Sequence, residues 1–497
     1  MSEQSAAGAN PAAVASGSAD ADIAVRPVDA VVLGRTLPTL IAALELAEVG
    51  MTVVVAGTEP ELPTAPERDP EGAIAAALER VAAPIVGSDA RADGGTGTES
   101  DTGSAPVPTP SVAPLLLDPS GAWAPQSDPS VWGIPAVPLS VDTLRLLGTR
   151  AGMRAYLDRI MPLLTIGKTR ELGVLARKRL GREAWQRVVD PLVRERFGVP
   201  ADAVEVAIAA PGLNEALSRA GSLTGAALAY AERYVARETT VAPAGGWAHA
   251  AQALVRRLAA FGVEFSDSPP AASHASPEGG WRVALADGSH FQARALIADP
   301  GARLDGAMPD GVLPPQVRSV SPLRTRVYAE IDIRPESAAM FDSGDTRDAA
   351  GDHAVAVRSL GDWSLRLGPV PPEPERASTA PKWRARLSGP ARGADSGGDA
   401  VADAGSAVNS PGLDELLAAA GVVATEGAAW RTSLRAAPFA TLQQRDAAAE
   451  KIATLRAQEP ELLVLGSRFH GDDLSTAVSV AVSEGVALRR HLLGLTD

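Results

Sequence analysis

The sequence contains no cysteine among its 497 residues. The chain can therefore form no disulfide, thiolate metal site or cysteine nucleophile, which suits a cytoplasmic protein. Histidine is scarce as well, and no two histidines stand at the spacing of metal ligands, so the sequence predicts no metal site. The six histidines are His249, His274, His290, His353, His470 and His491.

Aromatic residues make up only 4% of the chain, and basic residues are outnumbered by acidic ones. The 46 lysines and arginines stand against 60 aspartates and glutamates, which gives a formal net charge of −14. Nucleic-acid binding needs a cationic surface for phosphates, and single-strand binders add aromatic stacking platforms. The composition therefore argues against nucleic acid as a partner.

The chain also lacks any run of about 18 or more apolar residues, the length that a membrane-spanning helix needs. Its first residues, Met1 to Asp22, have neither the basic nor the apolar segment of a signal peptide. We expect a disordered tail there and no transmembrane helix. Peripheral contact with a membrane stays open.

The clearest pattern in the chain is a strand, a helix and a second strand. The apolar run from Ala30 to Leu33 ends at Gly34, and apolar residues then recur at helical spacing from Leu37 to Ala47. Gly50 ends the helix, and Thr52 to Ala56 is typical of a strand buried on both faces of a parallel sheet. The order predicts the first βαβ unit of a dinucleotide-binding fold.

The glycine fingerprint of that fold is incomplete here. The pattern G-x-G-x-x-G requires glycine at three positions, which are occupied by Gly34, Thr36 and Thr39. The carboxylate that would bind the ribose is absent as well, because its place falls at Ala56 or Gly57, unless Glu59 reaches back. Arg35 could pair with a pyrophosphate and replace part of the lost contacts, or it could face solvent.

The middle of the chain carries a more specific phrase. Residues 180–193 read Leu-Gly-Arg-Glu-Ala-Trp-Gln-Arg-Val-Val-Asp-Pro-Leu-Val. Gly245-Gly246-Trp247 precedes a helix, and Asp287-Gly288 turns a hairpin farther along. In this order the segments resemble the bacterial protoporphyrinogen and coproporphyrinogen oxidases of the flavin-containing amine oxidase superfamily.

The resemblance implies a mixed α/β and α+β fold: a Rossmann-like FAD-binding domain interleaved with an antiparallel-sheet substrate domain and a helical lobe. We expect the last strand, Leu462 to Leu465, to lie next to the first. The lobe should bury Leu175, Leu180, Trp185, Val188 and Leu192. The expected ranges are a tail at 1–27, dinucleotide-domain parts at 28–90, 211–300 and 436–497, a flexible insertion at 91–112, substrate-domain parts at 113–140 and 301–435 with a flexible segment near 371–411, and the helical lobe at 141–210.

In the family the C-terminal strand, turn and helix close over the flavin. Gly466 and Gly471 match the glycines of that turn, so the resemblance makes FAD the expected cofactor. Asp472 and Asp473 occupy positions where the family has small or apolar residues. We interpret Asp473 as the N-cap of the last helix and Asp472 as a solvated residue.

The family's activity is removal of hydride from a porphyrinogen onto FAD in haem biosynthesis. The resemblance therefore implies a porphyrinogen-type small molecule as substrate, although no catalytic residue can be named. His470 could touch flavin or substrate, but a lone histidine in a turn is more often structural. The candidate propionate ligands are Lys168, Arg170, Arg177, Lys178, Arg179, Arg182 and Arg187.

Three hypotheses follow. The first is an FAD-dependent oxidoreductase acting on coproporphyrinogen or protoporphyrinogen. The second is a non-catalytic descendant with a degraded flavin site that binds porphyrins or proteins. The third is a related flavin amine oxidase or desaturase.

Overall fold

The computed structural model describes residues 25–57, 63, 65–85, 100–109, 114–161, 169–234, 240–301, 304, 311–335, 355–369, 382–393 and 417–495. Its strands, numbered in chain order, are β1 (Val25–Leu33), β2 (Val53–Ala56), β3 (Glu67–Arg68), β4 (Pro106–Thr109), β5 (Leu115–Leu117), β6 (Trp123–Pro125), β7 (Ser130–Val131), β8 (Ile134–Pro135), β9 (Thr240–Pro243), β10 (Glu264–Ser266), β11 (Pro270–Ala275), β12 (Trp281–Leu285), β13 (His290–Ala298), β14 (Arg324–Pro335), β15 (Ala356–Leu360), β16 (Trp363–Pro369), β17 (Trp383–Ser388), β18 (Arg392–Gly393), β19 (Val422–Ala424), β20 (Arg431–Ala436) and β21 (Leu462–Val464).

The helices, numbered in the same way, are α1 (Leu37–Ala47), α2 (Ala73–Ala82), α3 (Val141–Leu147), α4 (Thr149–Tyr156), α5 (Leu172–Leu180), α6 (Arg182–Ala184), α7 (Asp190–Phe197), α8 (Val206–Ala209), α9 (Leu213–Ala220), α10 (Leu223–Tyr234), α11 (Trp247–Ala260), α12 (Pro315–Ser319), α13 (Leu442–Gln458) and α14 (Leu474–Leu492). A π-helical turn at Trp185–Val189 joins α6 to α7, and 3₁₀ turns lie at Leu157–Ile160, Ala201–Ala203 and Ser467–His470. None of the helices in the described ranges is long and apolar enough to cross a membrane.

The first sheet confirms the Rossmann-like architecture. Its order is β10-β2-β1-β13-β12-β11, and the pairs β10–β2, β2–β1 and β1–β13 are parallel. Helices α1, α2, α11 and α14 pack on one face, while α12 and α13 cover the other. The hairpin at Asp287-Gly288 joins β12 to β13 as expected.

One expectation about this sheet is wrong. The last strand, β21, is parallel to β1 but does not neighbour it, since β21 pairs with β13 in the register Leu296↔Leu462. The nine-residue β13 is long enough to pair with β12 through its first half and with β21 through its second. It therefore lies between the first strand and the last.

The second sheet is the expected antiparallel roof. Its order is β18-β14-β17-β16-β15-β5-β6, with β19 and β20 also pairing along β14. One face is apolar and packs around Ala329, Ile331, Leu365 and Leu387. Neighbouring residues on these strands point to the opposite face, which is charged.

Both predicted flexible segments contain strands. In the insertion at 91–112, residues 106–109 form β4 and pair with β9, and Asp101 accepts a hydrogen bond from His249. Main-chain pairing stabilises this segment although it has few apolar side chains. In the segment near 371–411, β17 pairs with both β14 and β16, because Trp383-Arg-Ala-Arg-Leu-Ser alternates as a strand requires. Residues 91–99 and 110–112 of the first segment, and residues 371–381 and 394–411 of the second, lie outside the described ranges.

The helical lobe is larger than predicted. Its core includes Leu213, Leu217, Leu223 and Tyr230, so α9 and α10 belong to the lobe rather than to the dinucleotide domain. The expected core residues Leu175, Leu180, Val188 and Leu192 are buried. Trp185 is only partly buried, and the guanidinium of Arg177 lies 5.0 Å from the centre of its ring. The expectation that the lobe buries Trp185 is therefore wrong.

Arg326 of β14 joins the second sheet to the lobe and is only 1% exposed. Its Nη1 donates to the carbonyl of Glu195 at 2.6 Å and its Nη2 to that of Arg194 at 3.0 Å. The last carbonyls of a helix have no partner within the helix, and a cation there also complements the helix dipole. Arg326 therefore caps α7.

Replacing Arg326 with leucine should lower the free energy of unfolding by about 3 to 5 kcal/mol, since several buried carbonyls would lose their donor. Urea unfolding measures the change. Arg431→Leu is the matched control: Arg431 is 55% exposed and pairs with Asp332, so its loss should cost about 1 kcal/mol or less. Equal losses in the two variants would contradict the capping role.

Candidate functional site

The N-terminus of α1 is where this fold binds a dinucleotide phosphate, and here Thr36 and Thr39 hydrogen-bond to each other at that position. Gly34 turns the chain with φ +97°. The N–H of Thr36, the N-cap of α1, donates to Thr39 Oγ1 at 3.1 Å. Pro38 in the first turn has no N–H to offer. The two threonines thus occupy the positions of the fingerprint glycines and hydrogen-bond to each other at the helix N-terminus.

A buried carboxylate completes this closure. Asp299, which follows β13, is 3% exposed, and its backbone N–H donates to the carbonyl of Leu33 at 3.0 Å. Thr36 Oγ1 donates to Asp299 Oδ2 at 2.6 Å, and the N–H of Gly301 donates to Oδ1 at 2.8 Å. An anion is favoured beside a helix N-terminus. The chain therefore supplies its own anion where the ligand phosphate would lie.

Gly466 is part of the same closure. It has φ +124°, and a Cβ added there would collide with the carboxylate of Asp299. Gly471 has φ +68°, and a Cβ there would lie 2.9 Å from the backbone nitrogen of Phe439. Both glycines of the C-terminal turn are thus required by the packing of the chain itself.

Arg35 and Gly57 lie at the neighbouring ribose end of the site. Arg35 turns across the end of β2, where its Nη2 donates to Asp267 Oδ1 at 2.8 Å and to the carbonyl of Ser266 at 3.0 Å. Gly57 has φ +138°, a conformation that side chains with a Cβ rarely adopt. Arg35 would have to exchange these partners to reach a pyrophosphate, so its phosphate role stays a prediction.

The turn before α14 gives one confirmation and one correction. Asp473 is the N-cap, since it accepts the N–H of Thr476 at 3.1 Å. Asp472 is partly buried rather than solvated, and burial raises the pKa of its carboxyl against the opposing charge of Arg435. The reason is that the second sheet covers this turn. His470 ends the 3₁₀ turn, and burial lowers its pKa to about 4, so it is neutral at neutral pH.

Inward of this turn lies a cluster of charges between the second sheet and α7. Glu195 is 9% exposed; Arg386 Nη2 donates to its Oε1 at 3.1 Å and Arg366 Nη1 lies 3.5 Å from its Oε2. Burial alone would raise the pKa of Glu195, but Arg366, Arg386 and Arg326 together hold it at about 2. Glu195 is therefore ionised throughout the physiological range.

The pKa of Glu67 is shifted in the opposite direction, upward. Burial raises its pKa to about 7, and the nearby Asp472 adds to the rise, while Arg196 and Arg386 oppose it. β3 holds Glu67 in place through its pairing with β9. This carboxyl therefore changes charge near neutral pH while facing the same guanidinium groups.

No motif in the sequence marks these arginines as a group. Four strands of the second sheet carry charged residues on the same face, where the register places several of them opposite one another. They are Arg326, Glu330 and Asp332 on β14, Arg366 on β16, Arg384 and Arg386 on β17, and Arg431 and Arg435 on β20. The alternation in Trp383 to Ser388 was the available signal.

The basic residues proposed as propionate ligands have other partners or face solvent. Arg179 forms a buried ion pair with Asp158 at 2.5 Å. Arg177 pairs with Asp202 and Arg187 with Glu183. The exposed members are Arg170, Lys178 and Arg182, and Lys168 lies outside the described residues. Their role as propionate ligands stays a prediction.

The described residues do not fit a dinucleotide diphosphate at α1. The N–H of Thr36 is bonded to Thr39 Oγ1, Pro38 has no N–H, and the Asp299 carboxylate lies against Thr36 at the helix N-terminus, where an anionic ligand would be repelled. The part of the chain that the structure describes also has no cluster of three or more carboxylate or histidine side chains arranged to hold a metal ion.

Several solved structures have a fold similar to that of this chain. A candidate protoporphyrinogen oxidase from Exiguobacterium sp. 255-15 aligns with a TM-score of 0.61 at 17% identity, over 94% of this chain and 100% of that one. An oxidoreductase from Methanosarcina mazei gives 0.51 at 14% identity, over 92% and 100%. Putrescine oxidase gives 0.50 at 12% identity, over 95% and 100%.

No protein-family model matches the sequence, and no curated protein matches it significantly. At such low identities the structural likeness establishes the fold alone. The chain has the fold of the FAD-dependent oxidoreductases in the flavin-containing amine oxidase superfamily, as the sequence resemblance implied.

Proposed function

We propose that this protein is a flavin-free descendant of that fold, and that it binds a carboxylate-bearing small molecule of the porphyrin class. The observation that carries the proposal is the contact of the Asp299 carboxylate with Thr36 at the N-terminus of α1. The same fold supports an FAD-dependent porphyrinogen oxidase as the competing hypothesis, which a tightly bound flavin would favour.

The electrostatic cost of placing a diphosphate there is large. Two unit charges about 4 Å apart repel by about 4 kcal/mol at an effective dielectric constant of about 20. Each 1.4 kcal/mol corresponds to about a tenfold loss in affinity. The Thr36 side chain also fills space that glycine would leave for the ligand. We expect these two effects together to weaken dinucleotide binding by several orders of magnitude.

The arginine cluster supports a carboxylate ligand. Arg366 and Arg386 share the single carboxylate of Glu195, and Arg386 Nε is buried without a partner among the described residues. Burial raises the pKa of Glu67 to about 7, so below about pH 7 this carboxyl is neutral and does not compensate the guanidinium groups that it faces. Guanidinium binds carboxylate in bidentate geometry, and porphyrin propionates offer that group.

Replacing Arg386 with methionine tests the ligand site. We expect the affinity for a porphyrin tetracarboxylate, coproporphyrin III, to fall about tenfold or more, because a charged hydrogen bond is worth about 1.5 to 3 kcal/mol. Fluorescence titration measures the affinity. Arg445→Met, which removes an exposed arginine paired with Asp446, should leave it unchanged. Equal affinity in wild type and Arg386→Met, with both folded by circular dichroism, would contradict the site.

The pH dependence of binding follows from Glu67. Its carboxyl is neutral below about pH 7 and negative above it, so the affinity for an anionic ligand should fall as the pH rises from 6 to 8. Glu67→Gln should flatten that part of the profile, while Glu264→Gln, at an exposed ion pair with Arg26, should not. Fluorescence titrations at several pH values measure this affinity. If Glu67→Gln leaves the pH dependence of the affinity unaltered, Glu67 does not belong to the site.

A further inference from the structure

Arg324, the first residue of β14, is a partly buried cation whose hydrogen-bond acceptors are both uncharged. Its Nη1 donates to Gln444 Oε1 at 3.3 Å, and its Nη2 donates to the carbonyl of Phe197 at 3.4 Å. Both distances are long for a hydrogen bond. Arg324 forms no ion pair with a carboxylate of the described residues. A guanidinium group removed from water is costly without an anion beside it, so the position of Arg324 favours a bound counter-ion.

The charges around Arg324 do not supply that counter-ion. Burial and the nearby Arg326 both lower the pKa of Arg324, and no neighbouring carboxylate raises it. Arg326 already donates to the last carbonyls of α7 and so complements the dipole of that helix. The carboxylate of Glu195 is shared by Arg366 and Arg386. The described residues therefore leave the charge of Arg324 uncompensated.

A small cavity lies beside Arg324. It is formed by the ends of β14 and β20, by α13 and by the 3₁₀ turn at Ser467–His470. Its volume is about 10 Å³, which is room for one small ion or one water molecule and too little for an organic ligand. Any ligand that fits here is therefore close to a single atom in size.

The lining of this cavity combines positive charge with apolar walls. Arg324, Lys451 and Arg468 belong to it, and the described lining residues include no aspartate or glutamate. The apolar walls come from Val320, Phe439, Ile452 and Phe469. A cation would be repelled from such a cavity, whereas a singly charged anion would gain an opposite charge on more than one side.

Lys451 adds a second cation from α13. Ala448, Lys451 and Ile452 are spaced i, i+3 and i+4, so they lie on the same side of that helix, and all three line the cavity. Lys451 is exposed and forms no ion pair with a described carboxylate. A lysine in this position covers apolar surface with its stem and keeps its ammonium group at the solvent side. The cavity thus has a guanidinium group on its inner side and an ammonium group toward solvent.

We propose that this cavity binds a chloride ion, which neutralises Arg324. Chloride carries one charge and is a single atom, as the volume and the lining require. Phosphate and carboxylate ligands have several oxygens and exceed that volume. The chloride site is separate from the carboxylate site at Arg386 and does not depend on what Arg386 binds.

Thermal unfolding at constant ionic strength tests the proposal, with sodium chloride replacing sodium gluconate, whose anion is too large for the cavity. The unfolding midpoint of the intact protein should rise by about 1 to 2 °C and then level off, because an ion that binds only the folded chain stabilises it in proportion to site occupancy. Arg324→Gln should lose this saturating rise. Lys451→Gln should shift it to about two- to fivefold higher chloride concentration.

Two control variants and a crystal soak complete the test. Arg445→Gln, on the same helix but paired with Asp446, should respond to chloride like wild type. Arg386→Met should do so too, which separates failure of the chloride site from failure of the carboxylate site. A crystal soaked in sodium bromide should show an anomalous peak beside Arg324, whether or not Arg324→Gln folds. Absence of the saturating rise in wild type, absence of the bromide peak, or an unchanged response in Arg324→Gln would each overturn the proposal.

Discussion

The hydrogen bond between Thr36 and the Asp299 carboxylate links the ends of the central strands at the N-terminus of α1. It joins the end of β1 to the end of β13, and the same carboxylate lies against Gly466 after β21. Three parallel strands thus meet at one buried anion. In a dinucleotide-binding fold this position belongs to the ligand's phosphate, because the dipole and free N–H groups of α1 point there. Here the Asp299 carboxylate lies beside that helix end, and the N–H of Thr36 is bonded to Thr39.

The second sheet places charged side chains between itself and α7. Its apolar face forms a core of its own, and the charged face looks toward α7 and the turn before α14. Arg326 caps α7, while Arg366 and Arg386 hold Glu195 ionised. Arg366 and Arg386 share the one carboxylate of Glu195, and this sharing is the basis of the proposed anionic ligand.

Much of the fold could be predicted from the sequence because it rests on local patterns. Gly34, Gly50 and the periodicity of α1 gave the βαβ unit, and Asp287-Gly288 gave the hairpin. The place of β21 could not be predicted, since pairing between strands distant in the chain depends on the length of β13. β17 was missed because the Gly- and Pro-rich residues around it masked its alternation.

The candidate site was predicted in part. The replacement of two fingerprint glycines by Thr36 and Thr39 indicated an altered phosphate site, and the structure supplies the partner, Asp299, which no motif marked. The arginines of the charged face come from four separate strands, so only the register of the sheet brings them together. Glu67 belongs to no recognisable motif, and only the fold brings it near Asp472.

The flavin content of freshly purified protein tests most directly whether the Asp299 carboxylate keeps a dinucleotide from the N-terminus of α1. Absorbance between about 350 and 500 nm, together with mass spectrometry of the heat-released supernatant, measures it without assuming a substrate. The occupied N-terminus of α1 predicts colourless protein with no flavin released. Yellow protein with one FAD per chain would contradict the claim and make the oxidoreductase hypothesis the correct one.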